Sequence, residues 1–318
     1  MLPTFSFIIP VKPGGTVKAL EALRQLEGQA YPYEILIAEG AKPSRQRNLA
    51  ARQCHGDILY FLDDDSRVVP DCLVQCAGAL AGPSVAVAGG PSLTPAEDTR
   101  LQHLFGLALS SPLGAGAVRN RYRSTGAPRE TTERELILCN LAIRRDVFLS
   151  AGGLDERLYP NEENELLDRI SASGHRMVHI PSLWVMRSQR STLSAFVRQM
   201  FAYGRGRAQQ TLIAGRSSMA SFMPLAFVIY LALLACLPVS LPWKLPAIAY
   251  AVLDVCYTLW AMFRSGRFSA ICLLALFPLM HCANGIGLLY GLLGGRPRQP
   301  AGSPEVLIRL VKEFDTPF

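Results

Sequence analysis

Three consecutive acids, Asp63, Asp64 and Asp65, close the apolar run Ile58 to Leu62. Adjacent carboxylates repel one another, so a cation or hydrogen-bond donors must compensate them. An oxygen-only group of this kind suits Mg2+ or Mn2+ bound together with substrate phosphates. The competing reading is an exposed acidic turn, which needs no chemistry at all. A second acidic group follows Gly152-Gly153-Leu154-Asp155-Glu156: Glu162, Glu163 and Glu165 sit in the first turn of a helical stretch beginning at Asn161. A carboxylate there can take the proton of an attacking hydroxyl, although glutamates at a helix start are also favoured by the macrodipole alone. The third group is basic. Lys42, Arg45 and Arg47 either neutralise a diphosphate or form a solvated helix face, and Arg205 and Arg207 serve either as lipid anchors or as phosphate contacts.

These residues need elements to hold them. Phe5 to Val11 is a β-rich run that includes Pro10 and leads to a Gly14-Gly15 turn, after which Thr16 is expected to cap a helix through about Gln29. Tyr33 to Ala38 reads as a strand, Ser44 to Cys54 as a helix, and Ile58 to Leu62 as a third strand running into the acids. Strand, helix, strand, helix, strand at this spacing predicts a parallel sheet with helices on its faces. Ligands bind such sheets at the carboxyl ends of the strands, where Lys12, Glu39 and Asp63 to Asp65 fall. Further along, the pattern predicts a helix at Asp71 to Leu80, strands at Val85 to Gly89 and Leu136 to Ile143, and helices at Arg144 to Ser150 and Asn161 to Ser173. The apolar stretch Leu101 to Leu113 is either a core helix or a surface that touches lipid. Gly114 to Glu133 and Gly294 to Pro304 read as linkers.

The last third is different. Charged residues make up 18% of the 318-residue chain, but they are interleaved up to about residue 210, so the apolar excess is concentrated beyond it. Met219 to Leu241, Leu245 to Phe263 and Phe268 to Leu293 each approach or exceed the roughly 20 residues a helix needs to cross a bilayer. The alternative, buried core helices, lacks a polar face with which to meet water. Thr192 to about residue 215 is expected to be a basic amphipathic helix at the membrane interface. With no secretory signal read at the N-terminus, the polar part is expected on the cytoplasmic side. Arg205, Arg207 and Arg216 agree with that side. Three full crossings would put Arg296, Arg298, Arg309 and Lys312 opposite, and Pro278, His281, Asn284, Gly285 and Gly287 could break the third segment, so roughly two to four spans are expected. The net charge of +7 on a membrane-bound chain fits anionic lipid or phosphate better than nucleic acid, for which no motif is present. The eight cysteines are scattered and imply neither a disulfide framework nor a zinc site.

Phe7-Ile8-Ile9-Pro10-Val11, Arg47-Asn48, Gly56-Asp57, Asp63-Asp64-Asp65, Gly152-Gly153-Leu154-Asp155-Glu156 and the acidic helix start, taken in order, resemble a family-2 glycosyltransferase of the α/β GT-A fold, the Rossmann-like fold of nucleotide-diphospho-sugar transferases. Gln199 to Arg207 resembles the membrane-proximal signature of succinoglycan-type exopolysaccharide enzymes. The resemblance covers about residues 4 to 210. It implies a GT-A domain at 1–210, which the apolar pattern follows with transmembrane helices at 219–294 and a C-terminal tail at 295–318. It also implies that Pro10, Glu39, Lys42, Arg47, Asp63 and Asp64 contact the donor, that Asp65 with Asp63 holds Mg2+ or Mn2+, and that Glu163 or Glu162 is the catalytic base. The donor it implies is a nucleoside-diphosphate sugar, a UDP-sugar by the family's pattern, and the acceptor a lipid-linked sugar or glycan. Two positions depart from the pattern: the usual Asp-Gly-Ser reads Ala38-Glu39-Gly40, and the usual Glu-Asp pair reads Glu162-Glu163. The Gln-x-x-Arg-Trp motif of processive synthases is absent, which argues for one sugar per encounter. Two other classes compete: nucleotidyl transfer, faintly suggested by Lys12-Pro13-Gly14-Gly15, and a non-catalytic membrane scaffold subunit.

Overall fold

The computed structural model describes residues 2–215, 218–238, 240–297, 305–314 and 316–318. Arg216, Arg298 and the stretch 298–304 of the second expected linker lie outside the described residues. The chain forms two compact units. The first comprises Met1–Pro95, Asn120–Ser188 and Arg298–Phe318, and the second comprises Ala96–Arg119 and Gln189–Pro297.

In chain order the elements begin with β1 (Phe5–Val11), α1 (Ala19–Arg24), β2 (Tyr33–Glu39), α2 (Pro43–Gln53), β3 (Ile58–Leu62), β4 (Arg67–Val68), α3 (Cys72–Ala79), β5 (Val85–Gly89) and β6 (Ser92–Leu93). Helices α4 (Arg100–Leu109) and α5 (Pro112–Ala115) follow, then β7 (Arg129–Thr131), β8 (Asn140–Arg144), α6 (Arg145–Ser150), α7 (Glu162–Ala172), β9 (Arg176–His179) and β10 (Val185–Met186). The chain continues through α8 (Leu193–Ala214), α9 (Met223–Cys236), α10 (Leu241–Ser265), α11 (Leu273–Leu293) and β11 (Leu307–Lys312).

In the first unit an eight-stranded sheet runs β11-β2-β1-β3-β8-β5-β9-β7, with a small sheet β4-β10-β6 beside it. Every residue of β1 and β3 is buried, as expected of central strands covered on both faces, where apolar runs are continuous rather than alternating. Phe5, Phe7, Ile9, Tyr60 and Leu62 enter one core, while Ile8, Leu59 and Phe61 enter the other on the opposite face. Pro10 lies beyond the last β1–β3 pair, Ile8 with Phe61, where its missing N–H interrupts the ladder least.

Three expectations are corrected. The sheet is mixed rather than parallel: β1 pairs parallel with β2 and β3, but β8 runs antiparallel to both β3 and β5. The long stretch between β6 and β8 lets the chain return in either direction, and periodicity carries no sign of which. Helix α1 starts at Ala19, not under a Thr16 cap, and its N-cap position Lys18 makes no side-chain cap bond. The N–H of Ala19 instead donates to the carbonyl of Asp64 at 2.9 Å, so a first-turn donor that a cap would satisfy pins the acidic loop. The segment 295–318 is more than a tail, because β11 pairs antiparallel with β2 from Leu307 opposite Glu39 to Lys312 opposite Ile35. Without it β2 would expose an unpaired edge.

In the second unit, Met219–Cys236, Leu241–Ser265 and Phe268–Leu293 are long and apolar enough to cross a membrane. The third runs as helix through Pro278 without a break. The expected interfacial stretch from Thr192 belongs to α8, which continues beyond 210 to Ala214 and packs against α11 through glycines: a Cβ on Gly291 would lie 2.7 Å from that of Ala208, and one on Gly204 would lie 2.8 Å from the amide nitrogen of Leu288.

Candidate active site

The acids after β3 are held in a tight turn. The amide of Ser66 donates to the Asp63 carbonyl at 3.1 Å, the amide of Asp63 donates to Ser66 Oγ at 3.3 Å, and that buried hydroxyl donates to the Cys139 carbonyl at 3.3 Å. The carboxylates of Asp63, Asp64 and Asp65 are therefore presented at the carboxyl end of the sheet, half-buried. Two guanidinium groups meet them. Arg47 Nη2 lies 2.6 Å from Asp63 Oδ1, Arg187 Nη2 lies 3.0 Å from Asp63 Oδ2, and Arg187 Nε lies 3.0 Å from Asp65 Oδ1. Asp64 bears the residual strain: burial first, then the like charges of Asp65 and Asp63, push its carboxyl above the ordinary range.

Helix α2 is the hub. Pro43 opens it with its dihedral preset, and Gln46, Arg47 and Asn48 are all buried. Gln46 donates to the carbonyls of Val11 (2.8 Å) and Ala38 (2.5 Å), tying together the ends of β1 and β2. Asn48 both donates to the Leu154 carbonyl (2.8 Å) and accepts from the Leu154 amide (2.9 Å), fixing the loop ahead of α7. That loop needs glycine: Gly153 has φ +74°, and a Cβ there would lie 2.6 Å from Asn48 Oδ1. Arg47 reaches from Asp63 to Glu162, whose Oε1 lies 3.8 Å from Arg47 Nη1. One side chain thus joins the two acidic motifs, which are 99 positions apart by residue number (162 − 63).

The glutamates opening α7 differ sharply. Glu162 is buried, its Oε2 has no hydrogen-bond partner, and burial together with the charge of Glu163 pushes it up to about 8, against a smaller opposing pull from Arg47. Glu163 accepts from Arg121 Nη1 at 3.3 Å. Arg121 is itself buried and fastened, donating to the carbonyls of Arg134 (3.0 Å) and Glu133 and to Asn164 Oδ1. The stretch expected to be a linker therefore supplies the partner of Glu163 and, in β7, an edge of the sheet.

The remaining expected positions lie around this centre. Pro10 is buried in β1 and Lys42 is exposed at the N-cap of α2. Glu39 ends β2, where its Oε1 accepts from the Gly14 amide at 2.9 Å and its Oε2 lies 3.7 Å from Arg309 Nη2 of β11. Arg45 turns away to Glu156 at 3.4 Å. Sequence reasoning missed Arg187 and Arg121, the two cations that meet the acids from outside any motif. The oxygen-only donor set fits a hard cation. Among the described residues no group of three or more His, Cys, Asp or Glu is arranged to hold a metal unaided, so phosphate oxygens or water would have to complete such a site.

Residues 58–280 match the family model described as glycosyl transferase family group 2. Over 255 residues the chain is 28% identical to the succinoglycan biosynthesis protein ExoA of Rhizobium meliloti (strain 1021), covering 69% of this chain and 75% of that protein. Among solved structures, the mannosyltransferase PcManGT from Pyrobaculum calidifontis, in complex with GDP-Man and Mn2+, aligns with a TM-score of 0.54 at 16% identity, over 92% of this chain and 88% of that one. At that identity the likeness speaks for a shared GT-A-like fold. With the family model spanning most of the chain, the protein belongs to glycosyl transferase family group 2 and is a glycosyltransferase.

Proposed function

We propose that this glycosyltransferase moves one sugar per encounter, with inversion at the anomeric carbon, from a nucleoside-diphosphate sugar to a lipid-linked acceptor at a membrane. The observation that carries this reading is Arg47, whose guanidinium joins the donor-side acid Asp63 to Glu162, the neighbour of the acceptor-side Glu163, in one site. A displacement needs those two kinds of group on either side of one reacting carbon.

Glu163 is the base in this scheme. The two neighbouring glutamates sit in different surroundings, Glu162 buried and Glu163 half-buried against a guanidinium. Burial holds the proton on Glu162, and Arg121 is the counter-charge that an ionised Glu163 needs. Glu163 accepts the acceptor hydroxyl's proton as that oxygen bonds to the anomeric carbon and the bond to the diphosphate breaks. Asp63 and Asp64 orient the donor beside Arg47, and Glu39 stands at the nucleobase end with Pro10 and Lys42 flanking. Asp65 and Asp63 would hold Mg2+ or Mn2+, which when bound would supply positive charge against the negative charge building on the departing nucleoside diphosphate.

The three apolar helices support residence in the bilayer, and Arg205 and Arg207 ahead of α9 support a cytoplasmic site. The ExoA relative supports a place in exopolysaccharide or glycolipid synthesis. The neighbour bound to GDP-Man and Mn2+ supports a sugar nucleotide used with a divalent cation, and Glu39, where the family carries an aspartate, leaves the choice between UDP- and GDP-sugar to the assay. A screen of UDP- and GDP-sugars with Mn2+ or Mg2+ in native membranes, following release of the nucleoside diphosphate, tests the proposal. Release that requires one sugar nucleotide, a divalent cation and the lipid fraction is expected. Equal release from delipidated protein with a soluble sugar acceptor would overturn the lipid-linked acceptor.

A further inference from the structure

Arg47 and Arg187 both neutralise Asp63, but they are built differently. Arg47 rises from the interior of α2, its side chain is 5% exposed, and it is shared with Glu162. Arg187 follows the two-residue strand β10, and its amide donates to the Leu93 carbonyl of β6 at 3.0 Å. Its side chain is 26% exposed and reaches over the turn to two acids at once, each at 3.0 Å. These are the two carboxylates that the proposed function gives to the divalent cation, and a guanidinium and that cation cannot both fill the same oxygens. Asp63 can release Arg187 and still hold Arg47 at 2.6 Å. Asp65, the more exposed at 39%, would exchange its guanidinium for the metal.

Resting on that reading of the site, we infer that Arg187 is the resident counter-ion of the donor site. It competes with the divalent cation for Asp63 and Asp65 when no nucleotide is present, and turns to the donor's diphosphate when the cation arrives. The cation alone must then displace a guanidinium with no compensation. Cation and diphosphate together give that guanidinium a new anionic partner, so the two bind cooperatively. Such coupling is reciprocal: each ligand tightens the other by the same factor. The small sheet β4-β10-β6 has a role in this scheme, because it carries Arg187 to the acids without burying it.

The test uses the full-length chain in detergent. Mn2+ binding is measured by electron paramagnetic resonance without nucleotide, and UDP and GDP binding by calorimetry with Mn2+ saturating. Wild type is expected to bind Mn2+ weakly alone and more tightly with whichever nucleotide it accepts. Arg187→Gln should reverse the balance, binding Mn2+ alone more tightly and the nucleotide about 10- to 100-fold more weakly, the loss of one charge-assisted contact. Arg187→Lys, which keeps the charge, should fall between. A purely structural arginine would weaken both. If Arg187→Gln loses both, Arg187→Lys decides: Mn2+ affinity above wild type with reduced nucleotide affinity upholds the inference, and any other pattern overturns it. Unchanged Mn2+ affinity in a folded Arg187→Gln chain overturns the inference alone, whereas a wild-type chain that binds neither nucleotide with Mn2+ overturns the donor-site reading as well.

Discussion

The acids after β3 and the acids opening α7 belong to one site but hold their charge in opposite ways. Asp63 and Asp65 stay partly open to solvent, and each has a guanidinium against it at hydrogen-bonding distance. Glu162 is buried with an unpartnered oxygen and keeps its proton to about 8, while its neighbour Glu163 takes Arg121. The first arrangement suits a cation bound between carboxylates and a polyanion, since half-buried carboxylate oxygens are ligands for a hard divalent ion. The second suits moving a proton, since a half-buried glutamate held by a guanidinium stands beside a buried one that keeps its proton. The difference teaches that two acidic clusters of similar composition acquire different electrostatic surroundings from burial and the placement of their arginines.

The most forceful way to break this comparison is Glu163→Gln. If proton transfer belongs to the α7 acids, kcat should fall by about 10²- to 10⁴-fold while nucleotide affinity by calorimetry is unchanged. Turnover that survives would move the base elsewhere, with Glu162→Gln the next variant to assay. Asp65→Ala addresses the other cluster. Affinity for the nucleoside diphosphate in Mn2+ should drop about 10- to 100-fold, and an undiminished affinity would mean that the strand-end acids hold no cation. The smallest effect concerns stability. The folded chain holds the Glu162 proton far more tightly than the unfolded chain does, so the stability this lends is complete below the ordinary carboxylate range and is lost as pH rises through about 8. Between about pH 5 and pH 9 the wild-type melting temperature should therefore fall by more than that of Glu162→Gln, which has no such proton to lose. Parallel curves would show that Glu162 ionises freely and would erase the contrast.

Much of the site was legible in the residues. A strand as apolar as Ile58 to Leu62 must be central, so the acids that follow it had to emerge at the carboxyl end of the sheet, and the glutamates in the first turn of α7 were readable from capping preference and charge. Arg187 and Arg121 were not legible. Neither stands in a motif, and each meets its partner only because β10 and the Asn120–Glu133 stretch fold back over the acids from far along the chain. Gln46 was hidden for a related reason: a polar residue on a helix looks solvated until the carbonyls it satisfies are placed around it.

Sequence alone determined strands β1, β2, β3, β5 and β8, the apolar helices of the last third and the two acidic motifs, because periodicity, turn residues and helix-start preferences act within a few residues of one another. Tertiary structure decided the antiparallel course of β8, the return of β11 to the edge of β2, and which guanidinium neutralises which carboxylate. Strand direction and ion pairing depend on groups brought together by chain closure over long separations, and the energies that select among them arise only after the intervening chain has folded.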